Sequence, residues 1–316
     1  MTYGRAVDRE RRGLGYGVAA YLLWGLFPLY WPLLEPASAL EILAHRILWS
    51  AVVVAAALAA RRRLGGLRDL DRGAATRLAL AGTVIAVNWG GYIWGVNHEH
   101  VVETSLGYFI NPLVTVALGV VLLHERLRRV QWYAIGVGTL AVVVLAVDYG
   151  RPPWLALLLA GSFGTYGYVK KRVAVGAAEG LLVESGVLAI PAIVVLAVLA
   201  GQGTLTWRGH GTGHDLLLMT AGVVTAVPLL FFAGAARRLP LSTLGLLQYI
   251  APVLQFLTGV LVRHEPMPAS RLAGFALVWV ALVVLAIDGV RHRSRPEPSV
   301  AAAPEPLVLS EPSVTR

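Results

Sequence analysis

The chain has no cysteine. That excludes a disulfide framework, an iron–sulfur centre and thiol chemistry. Charge is scarce as well. Only 14% of the 316 residues are charged, against about a quarter in a soluble domain. Lysine occurs only as Lys170 and Lys171. Neither closes a G-x-x-x-x-G-K run, so direct ATP coupling is not expected. Enzyme motifs are missing too. The pairs His98-Glu99, His124-Glu125 and His264-Glu265 never extend to H-E-x-x-H. Ala160-Gly161-Ser162-Phe163-Gly164 lacks the first glycine of G-x-S-x-G. No catalytic residue, cofactor or metal site is expected.

What the chain has is apolar length. It is 57% hydrophobic, with a mean hydropathy of +0.67. Runs long enough to cross a bilayer recur at about 14–34, 40–60, 75–97, 103–123, 130–148, 153–172, 181–200, 215–235, 242–262 and 270–288. The first could pass for a secretory signal, with Ala37-Ser38-Ala39 as a cleavage site. It is too long for a signal core and is interrupted by Pro28 and Pro32, so it reads as an uncleaved helix. The fold class expected is all-α integral membrane, with about ten transmembrane helices.

The net charge of +9 could suggest a nucleic-acid partner. The basic residues instead sit in short clusters between apolar runs, so no nucleic-acid partner is expected. With the N-terminus inside, twenty-one basic residues fall on inner segments: Arg5–Arg12, Arg61–Arg77, Arg126–Arg129, Lys170–Arg172, Arg237–Arg238 and Arg291–Arg295. Only Arg151, Arg208, Arg263 and Arg271 fall outside. That asymmetry predicts both termini in the cytoplasm. Residues 1–13 form a cytoplasmic lead. The tail 289–316, rich in Pro, Glu, Ser and Ala from Ser294 on, is expected to be disordered.

The two halves resemble each other. Asn111-Pro112 matches Ala251-Pro252, His124-Glu125 matches His264-Glu265, and Asp148 matches Asp288, all at one offset of 140 residues. Five helices per half invert one half relative to the other. The expected units are 14–148 and 149–288. Inverted halves are the architecture of alternating-access carriers, with the site near the midplane between them. The His-Glu pairs, at helix ends, read more readily as caps than as ligands.

Ionisable groups inside apolar helices are candidates for a solute or ion path. Glu41, His45 and Trp49 follow a four-residue step and share one helix face, with Arg46 one step round. A snorkelling cluster at the helix end is the plainer alternative. Asn88 and Tyr92 share a face of the third span, where Gly91 and Gly95 have helix-packing spacing. Tyr108, Asn111 and Thr115 line the fourth span, and Pro112 frees a carbonyl there. Pro252 is its counterpart, with Gln248, Tyr249 and Gln255 around it. A kink stitched by interhelical hydrogen bonds explains these residues equally well. Glu184 is either a midplane proton site or a first-turn carboxylate. Trp24, Trp31, Trp89, Trp94 and Tyr166 are belt residues or the walls of an aromatic pocket.

Glu41–Ser50, Asn88-Trp89, Val96-Asn97-His98, Ser105–Leu113 and Leu244–Pro252 together resemble the RarD branch of the EamA-type drug/metabolite transporter superfamily. The resemblance runs from about Gly13 to Asp288. It implies ten helices in two inverted repeats, an inner-membrane location and permease-type transport, often outward. The function expected is secondary transport of small metabolites or drugs. The partners are a small-molecule solute and the lipid bilayer, with protons as a candidate coupling ion through Glu41, His45 or Glu184. The other readings are a membrane-embedded enzyme on lipid-linked substrates and a non-transporting scaffold.

Overall fold

The computed structural model describes residues 2–67, 70–123, 127–173, 175–236, 238–239, 243–244 and 247–291. Residues 292–316 of the expected disordered tail and the His124-Glu125 pair therefore lie outside the described residues, while 289–291 continue the last helix. The described chain is helical, with no strand. The elements are α1 (Thr2–Gly25), α2 (Phe27–Tyr30), α3 (Ala39–Ala60), α4 (Arg72–Asn97), α5 (Val101–Leu123), α6 (Arg129–Tyr149), α7 (Trp154–Lys171), α8 (Ala177–Gly201), α9 (Thr212–Ala236), α10 (Ile250–Leu257) and α11 (Ala269–Arg291). Among the described residues, seven helices are long and apolar enough to cross a membrane. The number is eight if the bent α1–α2 pair is one span.

Local chemistry sets the boundaries. Ser38 caps α3, its Oγ accepting the Glu41 amide at 3.2 Å. Asp71 does the same for α4 through the amide of Ala74. Gly150, at φ 64°, ends α6 in the left-handed conformation that glycine adopts without strain. The first span breaks after Gly25. Pro28 and Pro32 sit at the starts of α2 and of the 3-10 turn Trp31–Leu34, and the two pieces meet at 43°. The prolines at 112 and 252 act differently. α5 runs through Pro112 as one helix. Pro252 lies in the first turn of α10, where its missing N–H costs little. α10 then passes into a π turn, Thr258–Val262.

The outward faces are apolar. Val147 is 76% exposed and Ile190 73% exposed. Only 22% of the apolar stretch of α8 is buried. Faces of this kind need lipid, since water would penalise them.

The packing pairs are specific. α3 lies against α8 and α9, α4 against α7 and α8, and α1 against α9 and α10. α5 packs on α7 and α10, and α6 on α11. Close approaches depend on glycine. A Cβ on Gly222 of α9 would lie 2.3 Å from the Trp49 carbonyl carbon of α3. One on Gly107 of α5 would lie 2.9 Å from the Ala156 carbonyl oxygen of α7.

Candidate functional site

Two polar centres stand on α3. The first is at its start. Glu41 is fully buried and accepts four hydrogen bonds from the loop between α8 and α9. Its Oε1 takes the Thr206 amide at 2.9 Å, the Thr206 hydroxyl at 2.8 Å and the Trp207 amide at 3.0 Å. Its Oε2 takes the Thr206 amide at 3.1 Å. Ser38-x-x-Glu41 has the spacing of a capping box, yet the carboxylate reaches the loop. That buried, fully engaged carboxylate is an anchor, not a snorkelling end group.

One turn on, Trp49 Nε1 donates to His45 Nδ1 at 3.2 Å. An acceptor at Nδ1 puts the proton of the neutral ring on Nε2, which is buried without a partner. The Trp207 ring lies 4.7 Å from the His45 ring. Nothing in the sequence points to Thr206 or Trp207, because a loop contact 165 residues away leaves no periodic trace.

The second centre surrounds Arg46. Its guanidinium carbon lies 4.0 Å from the Trp89 ring, 5.0 Å from Trp31 and 5.7 Å from Phe27. The bend between α1 and α2 supplies Phe27 and Trp31, and α4 supplies Trp89. Tyr92 belongs to the same buried cluster as Phe27 and Trp31, with Tyr30 and Tyr108 packed against that cluster. The Tyr92 and Tyr108 rings stack edge-on at 5.5 Å. Tyr108 donates to Asn88 Oδ1 at 3.2 Å. Asn88 Nδ2 in turn donates to the Leu159 carbonyl and to Ser162. Asn88 thus ties α4, α5 and α7 together.

The remaining expected residues lie elsewhere or are partly engaged. Gln255 donates to the Trp24 carbonyl at 3.1 Å, and its Oε1 is buried and unpaired. Asn111 also buries an unpaired Oδ1. Tyr249 packs toward the Phe109–Phe256–Phe275 cluster, next to half-buried Gln248. Glu184 is not in a first turn: α8 starts at Ala177, so Glu179 takes that place. Glu184 instead binds Lys170 at 2.6 Å and the Tyr166 hydroxyl at 3.2 Å.

Ion pairs close both ends of the bundle. At the end where α5 and α11 start, Arg151 binds Glu103 at 2.8 Å and Arg271 binds Asp148 at 2.9 Å. Glu265 accepts the Val101 and Val102 amides at the start of α5. Burial raises the Glu265 carboxyl above its usual range, and those two amides draw it back. At the opposite end, Arg63 binds Glu179 at 3.0 Å and Arg128 binds Asp288.

Residues 11–147 match the model of the EamA-like transporter family. A RarD protein of Streptomyces exfoliatus is 56% identical over 98% of this chain and 98% of its own. The chain belongs to the RarD branch of the EamA-like transporter family. An uncharacterised transporter of Bacillus subtilis, YojE, is 44% identical over 90% of this chain and 96% of its own. A Pseudomonas aeruginosa relative named as a chloramphenicol-sensitive RarD protein is 29% identical over 89% of this chain and 95% of its own. A crystal structure shares the fold alone, with a TM-score of 0.57 and 19% identity over 88% of this chain and 99% of that one. Family membership and the apolar helices make this RarD-type chain a multi-pass membrane transporter.

Proposed function

We propose that the chain is a secondary transporter of small metabolites or drugs that works by alternating access in the cytoplasmic membrane. In this reading ten spans form two inverted halves, 14–148 and 149–288, with both termini inside. Export is the direction the reading favours.

The observation that carries it is the symmetry of the packing. Exchange α1, α3, α4, α5 and α6 with α7, α8, α9, α10 and α11. The α3–α9 contact then becomes α8–α4, α4–α7 becomes α9–α1, and α5–α7 becomes α10–α1. The α3–α8, α5–α10 and α6–α11 contacts map onto themselves. The ion pairs follow the same rule. Asp148 of α6 meets Arg271 near the start of α11, and Asp288 of α11 meets Arg128 next to the start of α6. A pseudo-two-fold of this kind gives a carrier two equivalent gates around one site. A scaffold has no use for them.

The solute would bind between Arg46, Tyr92 and Tyr108, with Trp89 as a wall. Asn88 sets the positions of the surrounding helices. Asn111 and Gln255 hold further unpaired oxygens for polar contacts. Among the proton candidates, Glu41 and Glu184 are already engaged by hydrogen bonds or an ion pair. His45 is the better coupler. A proton on its Nδ1 would break the Trp49 bond and so turn a charge change into a side-chain movement.

Counterflow in proteoliposomes tests this reading. Vesicles preloaded with amino acids, aromatic acids or chloramphenicol should accumulate the matching labelled compound without ATP. A folded protein that exchanges none of them would overturn it.

A further inference from the structure

Arg46 is the least balanced group among the described residues. It is 3% exposed, and its Nε and Nη1, with three N–H donors between them, have no acceptor. A guanidinium stays charged at any physiological pH. A buried charge without a partner is strongly unfavourable unless something else neutralises it. Its neighbours Trp89, Trp31 and Phe27 attract the cation through their ring faces. They offer no acceptor in the guanidinium plane. Tyr92, in the same buried cluster as Phe27 and Trp31, also buries an unpaired hydroxyl.

Among the described residues, no carboxylate pairs with Arg46. Glu41 is occupied by Thr206 and Trp207, Glu103 by Arg151 and the Leu155 amide, and Glu184 by Lys170 and Tyr166. A solute with a positive group would therefore find these acids already taken. A solute with one negative charge would find a matched donor set. The aromatic walls favour a flat apolar body attached to that charge.

We propose that Arg46 is the anion-binding group of the transport site, and that the site takes small aryl carboxylates in preference to cations, amino-acid zwitterions or neutral drugs. This rests on the transporter reading and names its solute class. A carboxylate matches the single guanidinium in charge and can take its N–H groups in pairs. A phosphate ester dianion would leave one charge unmatched. Arg46 holds the carboxylate, the Tyr92 hydroxyl donates to it, and Trp89 stacks on the ring.

Thermal stabilisation of the full-length purified protein tests this. A ligand that binds the folded state alone raises Tm as its concentration exceeds its Kd. The probes are 3-phenylpropionate, its neutral amide, 2-phenylethylamine, L-phenylalanine, phenyl phosphate, acetate and sodium chloride. The expected result is a Tm rise with 3-phenylpropionate at concentrations roughly a hundredfold below those the amide needs, the scale of losing one buried charge-pair partner. Arg46→Gln should abolish that response. It should also raise the Tm of the ligand-free protein, because an unpaired buried charge is gone; a structural role for Arg46 would lower it. If Arg46→Gln does not fold, Trp89→Leu serves instead. It should weaken 3-phenylpropionate about tenfold and keep the preference over the amide. Equal shifts with the amide or the amine, a full shift with chloride alone, or an unchanged response in Arg46→Gln would overturn the proposal. Counterflow of a neutral solute with no response to the acid would overturn it too, while leaving the transporter reading intact.

Discussion

Glu41 and His45 stand one turn apart, and their surroundings give them different work. Glu41 is saturated by Thr206 and Trp207. Glu41→Gln removes a charge from these bonds and sets an amide N–H against a backbone N–H. It should destabilise the protein by about 2 kcal/mol, the scale of a hydrogen bond to a charged group. Denaturant or thermal unfolding reads that loss, and protease cutting in 202–211 should rise with it. An unchanged midpoint would mean that the anchor carries little energy. His45 has one engaged nitrogen and one without a partner. Counterflow by the wild type should vary between pH 5 and 8, and His45→Gln should flatten that profile. A profile unaffected by the substitution would remove His45 from coupling. The stripe Glu41–His45–Trp49 was legible from its four-residue spacing. The different fates of its members were not, because Thr206 and Trp207 approach from a loop that no periodicity points to.

Helix contacts decide the next scale. α3 and α9 touch backbone to backbone at Gly222, where a Cβ would lie 2.3 Å from the Trp49 carbonyl carbon. Gly222→Ala should push the pair apart and shift Arg46 and Trp49 together. Flux should fall at least tenfold, with Tm lowered. Gly186→Ala on α8, where a Cβ meets nothing within 4 Å, is the control and should change neither. Equal effects from both would show that the approach at Gly222 tolerates a methyl group. The long apolar helices were readable from hydropathy, since each of the seven overlaps an expected span. The break at Gly25 was signalled by Pro28 and Pro32. The π turn at Thr258–Val262 was not, because its residues, Thr-Gly-Val-Leu-Val, would suit an ordinary helix end as well. Pro112 and Pro252 looked alike in sequence and differ in structure. One lies inside a long helix and the other in the first turn of a short one.

For the molecule as a whole, orientation and access carry the predictions. The absence of native cysteine makes both measurable without background. Gly65→Cys and Gln202→Cys both place a thiol at an exposed position, at opposite ends of the bundle. On the charge asymmetry, an impermeant maleimide added to intact cells should label Gln202→Cys alone. Labelling of Gly65→Cys alone would reverse the orientation. The constant offset of 140 residues is legible in the sequence. Which helices meet, and the paired aspartates that hold α6 to α11, needed the coordinates, since sequence spacing does not say which helices touch. The most direct test of alternating access lies one turn beyond Arg46. Ser50 is fully buried, and its hydroxyl has no partner among the described residues. Ser50→Cys in proteoliposomes of defined orientation is therefore exposed only when a gate opens. The account predicts slow labelling by an impermeant thiol reagent from either side, slowed further by 3-phenylpropionate. Labelling from one side only, or from neither, would contradict it.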